Sequence, residues 1–110
     1  GLDVLTSGPI PENPSELLSG DAVSQLLNYV RDKYDYVIID TAPVNIVTDS
    51  LLLVDKIAGI LLVSRYGSTS YTEMKKTIDN ITSVNGNILG AVINDAVIFD
   101  NSYYNRKYYK

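Results

Sequence analysis

Tyr34-Asp35-Tyr36-Val37-Ile38-Ile39-Asp40-Thr41-Ala42-Pro43 runs through three β-branched apolar residues into a carboxylate, a small polar residue and, two positions on, a proline. Val-Ile-Ile favours a buried strand, and that strand would end with the Asp40 carboxyl group at its C-terminal tip. Ligands of open α/β sheets bind at such tips. In nucleotide-binding proteins of this class an acid there holds a phosphate-bound Mg²⁺, usually through water. The stretch therefore reads as a Walker B element, with the strand over Tyr36 to Asp40. No Gly-x-x-x-x-Gly-Lys-[Ser/Thr] loop occurs in the 110 residues. The phosphate cradle that such an acid faces is thus not among them, and the chain reads as half of a nucleotide site.

Composition narrows the alternatives. A chain of 110 residues, 45% of them apolar, can bury one real core, which argues against disorder throughout. It has no cysteine and no histidine, which excludes Cys/His zinc sites, disulfide frameworks, thiol nucleophiles and Ser-His triads. No apolar run approaches the roughly 20 residues of a membrane span, and no signal-peptide pattern is present. The expectation is a soluble chain unless a partner tethers it. It begins at Gly1 and enters strand-like sequence at once, so it is expected to be a fragment or a mature product. Of thirteen acids and nine bases, one acid and three bases (Arg106, Lys107, Lys110) fall in residues 100–110. The remaining body carries twelve acids against six bases, net −6, and the tail is net +2. An acidic body is a poor nucleic-acid binder and suits tail-to-body contact between molecules.

Outward from the central stretch, the pattern is one of alternating strands and helices. Leu2 to Thr6 predicts a short strand ended by Ser7-Gly8-Pro9. The loop from Gly8 to Pro14 holds three of the four prolines. Asn13-Pro14-Ser15-Glu16 predicts a helix start, with Asn as N-cap, Pro at N1 and Glu at N3. Val23, Leu26, Leu27 and Val30 give that helix one apolar face, with a break at Gly20. Thr48-Asp49 offers an N-cap for a short helix through Leu51 to Val54. Ile57 to Val63 predicts a strand buried on both faces, as in parallel sheets. Ser70-Tyr71-Thr72-Glu73 is a capping box, and Met74, Ile78 and Ile81 line the helix that follows. Asn85-Gly86 ends it, and Ile88 to Asn94 is the last strand. The order βαβαβαβ implies an α/β fold with a mostly parallel, doubly wound sheet and flanking helices. Residues 1–99 form this domain and residues 100–110 a flexible, tyrosine-rich tail.

Asp40 leads the candidate site residues. It is either a turn-capping aspartate or a metal-site acid, and Pro43, which fixes the exit path of the chain, favours the latter. Thr41 either helps the turn or touches the metal shell, and Asp49 is expected to cap a helix rather than bind a ligand. Arg65, past the end of a strand, is placed either to reach a phosphate or to sit in solvent. Asn94, at the end of the last strand, carries an amide that can pair with an adenine edge. Tyr103, Tyr104, Tyr108 and Tyr109 are four tyrosines in seven residues, interleaved with Arg106 and Lys107. They form either a tail that folds onto a partner or a phospho-acceptor cluster. Each phosphate would add about −1.5 to −2 charges, and modification of all four tyrosines would turn the basic tail strongly acidic.

Taken together, these segments resemble the bacterial tyrosine kinases of capsular and exopolysaccharide synthesis, P-loop proteins related to the MinD/ParA ATPases. Gly8-Pro9-Ile10-Pro11-Glu12-Asn13-Pro14-Ser15-Glu16-Leu17-Leu18 is similar to that family's Gly-x-x-Pro-Pro-Asn-Pro-x-Glu-Leu-Leu segment, with Glu12 in place of a proline. Tyr34 to Pro43 is similar to its Walker B, with Ala42 in place of the first proline. Val63-Ser64-Arg65 through Thr69, Leu89 to Asn94 and the terminal tyrosines follow in the family's order. The resemblance implies that Asp40 helps hold Mg²⁺ and activate an acceptor hydroxyl, that Asn94 lies near the adenine of ATP, and that the four tail tyrosines are phosphorylated in trans by a neighbouring copy. It implies a membrane-embedded polysaccharide chain-length regulator as activator, a cognate tyrosine phosphatase, and a cytoplasmic place at the inner face of the membrane. The family's Walker A and A′ motifs lie upstream of the matched segment. These 110 residues are therefore expected to be inactive alone, and to leave open strand edges that promote association. A MinD/ParA-like ATPase and a non-catalytic α/β interaction module are the competing readings.

Overall fold

A β–α–β unit between Ile60 and Asn94 carries the sheet in the computed structural model, which describes residues 1–96. Strand β1 (Ile60–Arg65) and strand β2 (Ile88–Asn94) pair in parallel. Their register runs from Leu61 opposite Gly90 to Arg65 opposite Asn94, with one irregularity after Ile60. Helix α3 (Tyr71–Ser83) makes the crossover.

The ends of α3 follow from its sequence. Ser70 accepts the Glu73 backbone N–H, while the Glu73 carboxylate accepts from the Ser70 backbone and hydroxyl, which closes the capping box. Those bonds from Ser70 hold the Glu73 carboxyl group below the ordinary glutamate pKa. At the other end the Gly86 N–H reaches the Ile81 carbonyl and the Asn85 N–H the Thr82 carbonyl, with Asn85 at φ 59°. This is a Schellman ending with Asn in the left-handed position. Gly86 is needed for another reason: a Cβ there would lie 2.5 Å from the Ile81 side chain. Ile81 has no exposed surface, and burying a side chain of that size is worth about 1.5–3 kcal/mol. With Leu53 and Leu62 it makes up the buried core among the described residues.

Before the sheet lie helix α1 (Pro14–Ser19), helix α2 (Asp21–Arg31) and a 3₁₀ helix (Thr48–Lys56). The predicted break at Gly20 is present, as C-cap of α1 and N-cap of α2. Asn13 stands at the predicted N-cap, but its side chain turns to the Glu16 carboxylate (3.4 Å) instead of to a backbone N–H. On α2, Val23, Leu27 and Val30 are half-buried while Leu26 is exposed. The six-residue α1 is too short to be stable alone, and it is held from outside. The Ser15 hydroxyl donates to Asp49 Oδ1 (2.9 Å), and Lys56 Nζ donates to the Leu18 and Ser19 carbonyls (3.3 Å each). The 3₁₀ helix thus grips α1 at both ends.

Several local expectations need correction. Leu2–Thr6 and Tyr36–Asp40 are not strands: no ladder joins them to a neighbour among the described residues, and strand identity requires one. Their apolar side chains stay open, Leu2 at 88%, Leu5 at 79% and Ile38 at 92% exposure. The strand predicted from Ile57 begins at Ile60 and is not covered on both faces, since Leu61 and Val63 are exposed. The helix predicted around Leu51–Val54 is 3₁₀, and its N-cap is Val47, with no side-chain cap bond from Thr48 or Asp49. The sheet of the described residues therefore has two strands, parallel and linked by a helix, as an α/β fold requires.

Candidate functional site around Asp40

A cleft of about 230 Å³ opens where the apolar run ends, lined by Ile39, Asp40, Thr41, Asp49, Ser50 and Leu53, among others. Asp40 is exposed, and no side-chain hydrogen bond reaches it among the described residues. Asp49 is half-buried, with one carboxylate oxygen taken by Ser15. Ser50 Oγ is shielded from solvent and has no hydrogen-bond partner among the described residues. Sequence reasoning placed Asp49 as a cap, whereas the fold gives it a shared wall with Asp40. A wider hollow of about 340 Å³ over α1, lined by Asn13, Glu16 and Asp21, is shallow and lies away from the candidate residues.

The donor set suits a hard cation. Two carboxylates and a hydroxyl offer only oxygen, the ligand type of Mg²⁺. No group of three or more acidic ligands occurs among the described residues. Mg²⁺ is commonly held by one or two carboxylates, with phosphates and waters completing its shell, and Asp40 with Asp49 fits that pattern. A Gly-rich cradle for the phosphates is not part of the 110 residues.

Arg65 and Asn94 are brought together, but not with Asp40. They sit opposite each other at the C-terminal ends of β1 and β2, and neither lines the Asp40 cleft. The Arg65 guanidinium is paired with Asp95, through Nε and a terminal nitrogen at 2.6 Å each. Asn94 Oδ1 accepts the Asp95 N–H (2.9 Å), which supports a left-handed Asp95 at φ 55°. The Asn94 amide nitrogen has no partner among the described residues. Tyr103, Tyr104, Tyr108 and Tyr109 lie outside the described residues.

Sequence reasoning missed Asn45 and Asp95. Asn45 had a signal, as an amide inside Val44-Asn45-Ile46-Val47 that must find partners on burial. Asp95 had none, because its partner lies thirty residues away in sequence.

This arrangement is that of an α/β segment with candidate site residues at strand ends and in a carboxylate-lined cleft. No family model matches the chain. The tyrosine-protein kinase YwqD of Bacillus subtilis is 38% identical over 103 residues, 94% of this chain and 44% of YwqD. The solved chimerical protein CapA2B2 superposes with a TM-score of 0.76 at 39% identity, covering 81% of this chain and 39% of that one. The kinase domain of Escherichia coli tyrosine kinase Etk gives 0.73 at 37% identity, covering 82% and 37%. The shared segment places these residues with the bacterial tyrosine kinases, as the counterpart of part of their kinase domain. The chain spans less than half the length of the relatives it matches.

Proposed function

We propose that this chain is part of a bacterial protein-tyrosine autokinase that regulates capsular or exopolysaccharide synthesis by transferring phosphate from Mg-ATP to C-terminal tyrosines. The observation that carries the reading is the 38% identity to YwqD over 94% of the chain, together with the oxygen-lined cleft at Asp40.

In this reading Asp40 would help hold Mg²⁺ and support activation of the acceptor hydroxyl. Mg²⁺, when bound, neutralises charge building on the transferring phosphate. Arg65 leaves Asp95 to meet a phosphate oxygen, a charge-assisted bond its planar fork suits. Asn94, with its oxygen already engaged, donates from its amide nitrogen to a ring nitrogen of adenine. The phosphate cradle comes from residues outside these 110, which alone do not turn over ATP. Tyr103, Tyr104, Tyr108 and Tyr109 accept the γ-phosphoryl group of ATP held by a second copy, leaving ADP. A tyrosine phosphatase hydrolyses the phosphotyrosine back to tyrosine and inorganic phosphate, and residues 100–110 act as the tail. No helix of the described residues is long and apolar enough to cross a membrane. In this reading a membrane-embedded chain-length regulator activates the kinase and holds it at the inner membrane face.

A chimera tests this: residues 1–110 replace the matching segment of YwqD, and phosphotyrosine is measured with Mg-ATP under conditions where YwqD itself is active. A folded chimera that phosphorylates its tail, and loses this with Asp40→Asn, is the expected result. A folded chimera without phosphotyrosine sinks the proposal.

A further inference from the structure

Asp40 makes no side-chain hydrogen bond of its own among the described residues, so its position is set by the backbone on either side. The run before it, Val37 to Ile39, has no ladder partner among the described residues. The loop after it is tied down by one side chain. Asn45 Nδ2 donates to Thr77 Oγ1 (2.8 Å) and to the Glu73 carbonyl (3.0 Å), and Asn45 Oδ1 accepts from Asn80 Nδ2 (3.4 Å). Residues 73, 77 and 80 form one stripe of α3, so a single amide grips two turns of the helix.

Both ends of this tie are themselves hydrogen-bonded in place. On the loop side, the Ile46 and Val47 N–H groups both donate to the Pro43 carbonyl (2.9 and 3.0 Å), closing residues 43–47 into one turn with Asn45 inside it. On the helix side, Glu73 is fixed by the capping box with Ser70. The far end of the segment is anchored separately, through Asp49 to Ser15.

We propose that Asn45 is a positioning residue: by pinning the 41–47 loop to α3 it holds the Asp40 carboxylate where a phosphate-bound metal must find it. This rests on the reading of Asp40 as a metal-holding acid and adds the residue that orients it. Asn45 touches neither metal nor nucleotide.

Mn²⁺ alone, added to the full 110-residue chain and followed by paramagnetic broadening of amide resonances, tests the proposal alongside amide exchange. Broadening should begin at Asp40 and Thr41. Asn45→Ala should raise the Mn²⁺ concentration for half-broadening about threefold to tenfold, the range that one lost hydrogen-bond set produces. It should also speed exchange at Ile46 and Val47 while β1 and β2 amides stay unchanged. Thr77→Ala should act in the same direction and more weakly, and add nothing on top of Asn45→Ala, because both break one tie. Faster loop exchange with an unchanged Mn²⁺ response would overturn the role given to Asn45, as would an unchanged loop. If Asp40→Asn broadens like the unaltered chain, the metal reading of Asp40 itself is overturned.

Discussion

The Tyr34 hydroxyl donates to Asp3 Oδ2 at 2.7 Å, a bond that ties the residue just before the Tyr36–Asp40 run to the start of the Leu2–Thr6 run. The carboxylate, chiefly by accepting the bond, keeps the phenol protonated above the ordinary tyrosine pKa. A raised pKa means that the contribution of the contact is complete below the ordinary value near 10 and is lost as pH rises through the folded value. The ring carbon resonances of Tyr34 should therefore titrate late, and Asp3→Asn should bring the titration back down. An unchanged titration in that variant would show that Asp3 does not hold the phenol.

Local signals were readable from sequence wherever a few neighbouring residues complete the structure. The Ser70–Glu73 box, the Asn85-Gly86 ending and the Gly20 break need only their own segment, and Ile88–Asn94 needs one parallel neighbour. Val37-Ile38-Ile39 has the right side chains for a strand, but a ladder bond must come from another strand, and side-chain pattern cannot supply it. The Asp40 position was likewise visible as a motif, whereas Ser15–Asp49, Asn45–Thr77 and Arg65–Asp95 join residues about thirty apart. Such pairs are set by tertiary packing, so the surroundings of Asp40 emerged only from the fold.

Acid should loosen α3 from its first turn. The bonds from Ser70 depress the Glu73 pKa, so the contribution of the capping box is present above the ordinary glutamate range near 4.3 and is lost as pH falls through the lower folded value. Circular dichroism across this range should show helix loss that Glu73→Gln flattens. Since the Glu73 carbonyl accepts from Asn45, the exchange rates of Ile46 and Val47 should rise in the same pH window. Loop exchange that ignores this window would separate the capping box from the loop.

The end of α3 allows a paired test of strain against crowding. Asn85→Gly should leave stability within about 0.5 kcal/mol, since glycine tolerates φ 59°, whereas Asn85→Ala should cost about 1 kcal/mol. Gly86→Ala should cost roughly 1–3 kcal/mol, because its Cβ meets the Ile81 side chain at 2.5 Å and the Ile81 carbonyl oxygen at 2.9 Å. Gly90→Ala is the control: its nearest neighbour would be the Leu61 side chain at 4.0 Å, which leaves room. Urea midpoints would rank the four, and a Gly86→Ala variant as stable as Gly90→Ala would contradict this account of the helix end.

Asp95 combines an ion pair with a left-handed backbone, and the two can be separated. Its pair with Arg65 is open to solvent, with the side chains 70% and 53% exposed, so it is worth about 0–1 kcal/mol. Asp95→Gly loses the pair and relieves the strain at φ 55°, and should stay within about 0.5 kcal/mol of the unaltered chain. Asp95→Ala loses the pair and keeps the strain, and should be less stable by about 1 kcal/mol or more. Both release the Arg65 guanidinium beside Asn94, at the strand ends where ligands of such sheets bind. Pyrophosphate should then shift the Arg65 Nε–H resonance at lower concentration than in the unaltered chain, more so at low salt because the contact is exposed. Equal pyrophosphate responses in all three proteins would mean that Asp95 does not restrain Arg65, and would remove Arg65 from the phosphate-facing residues.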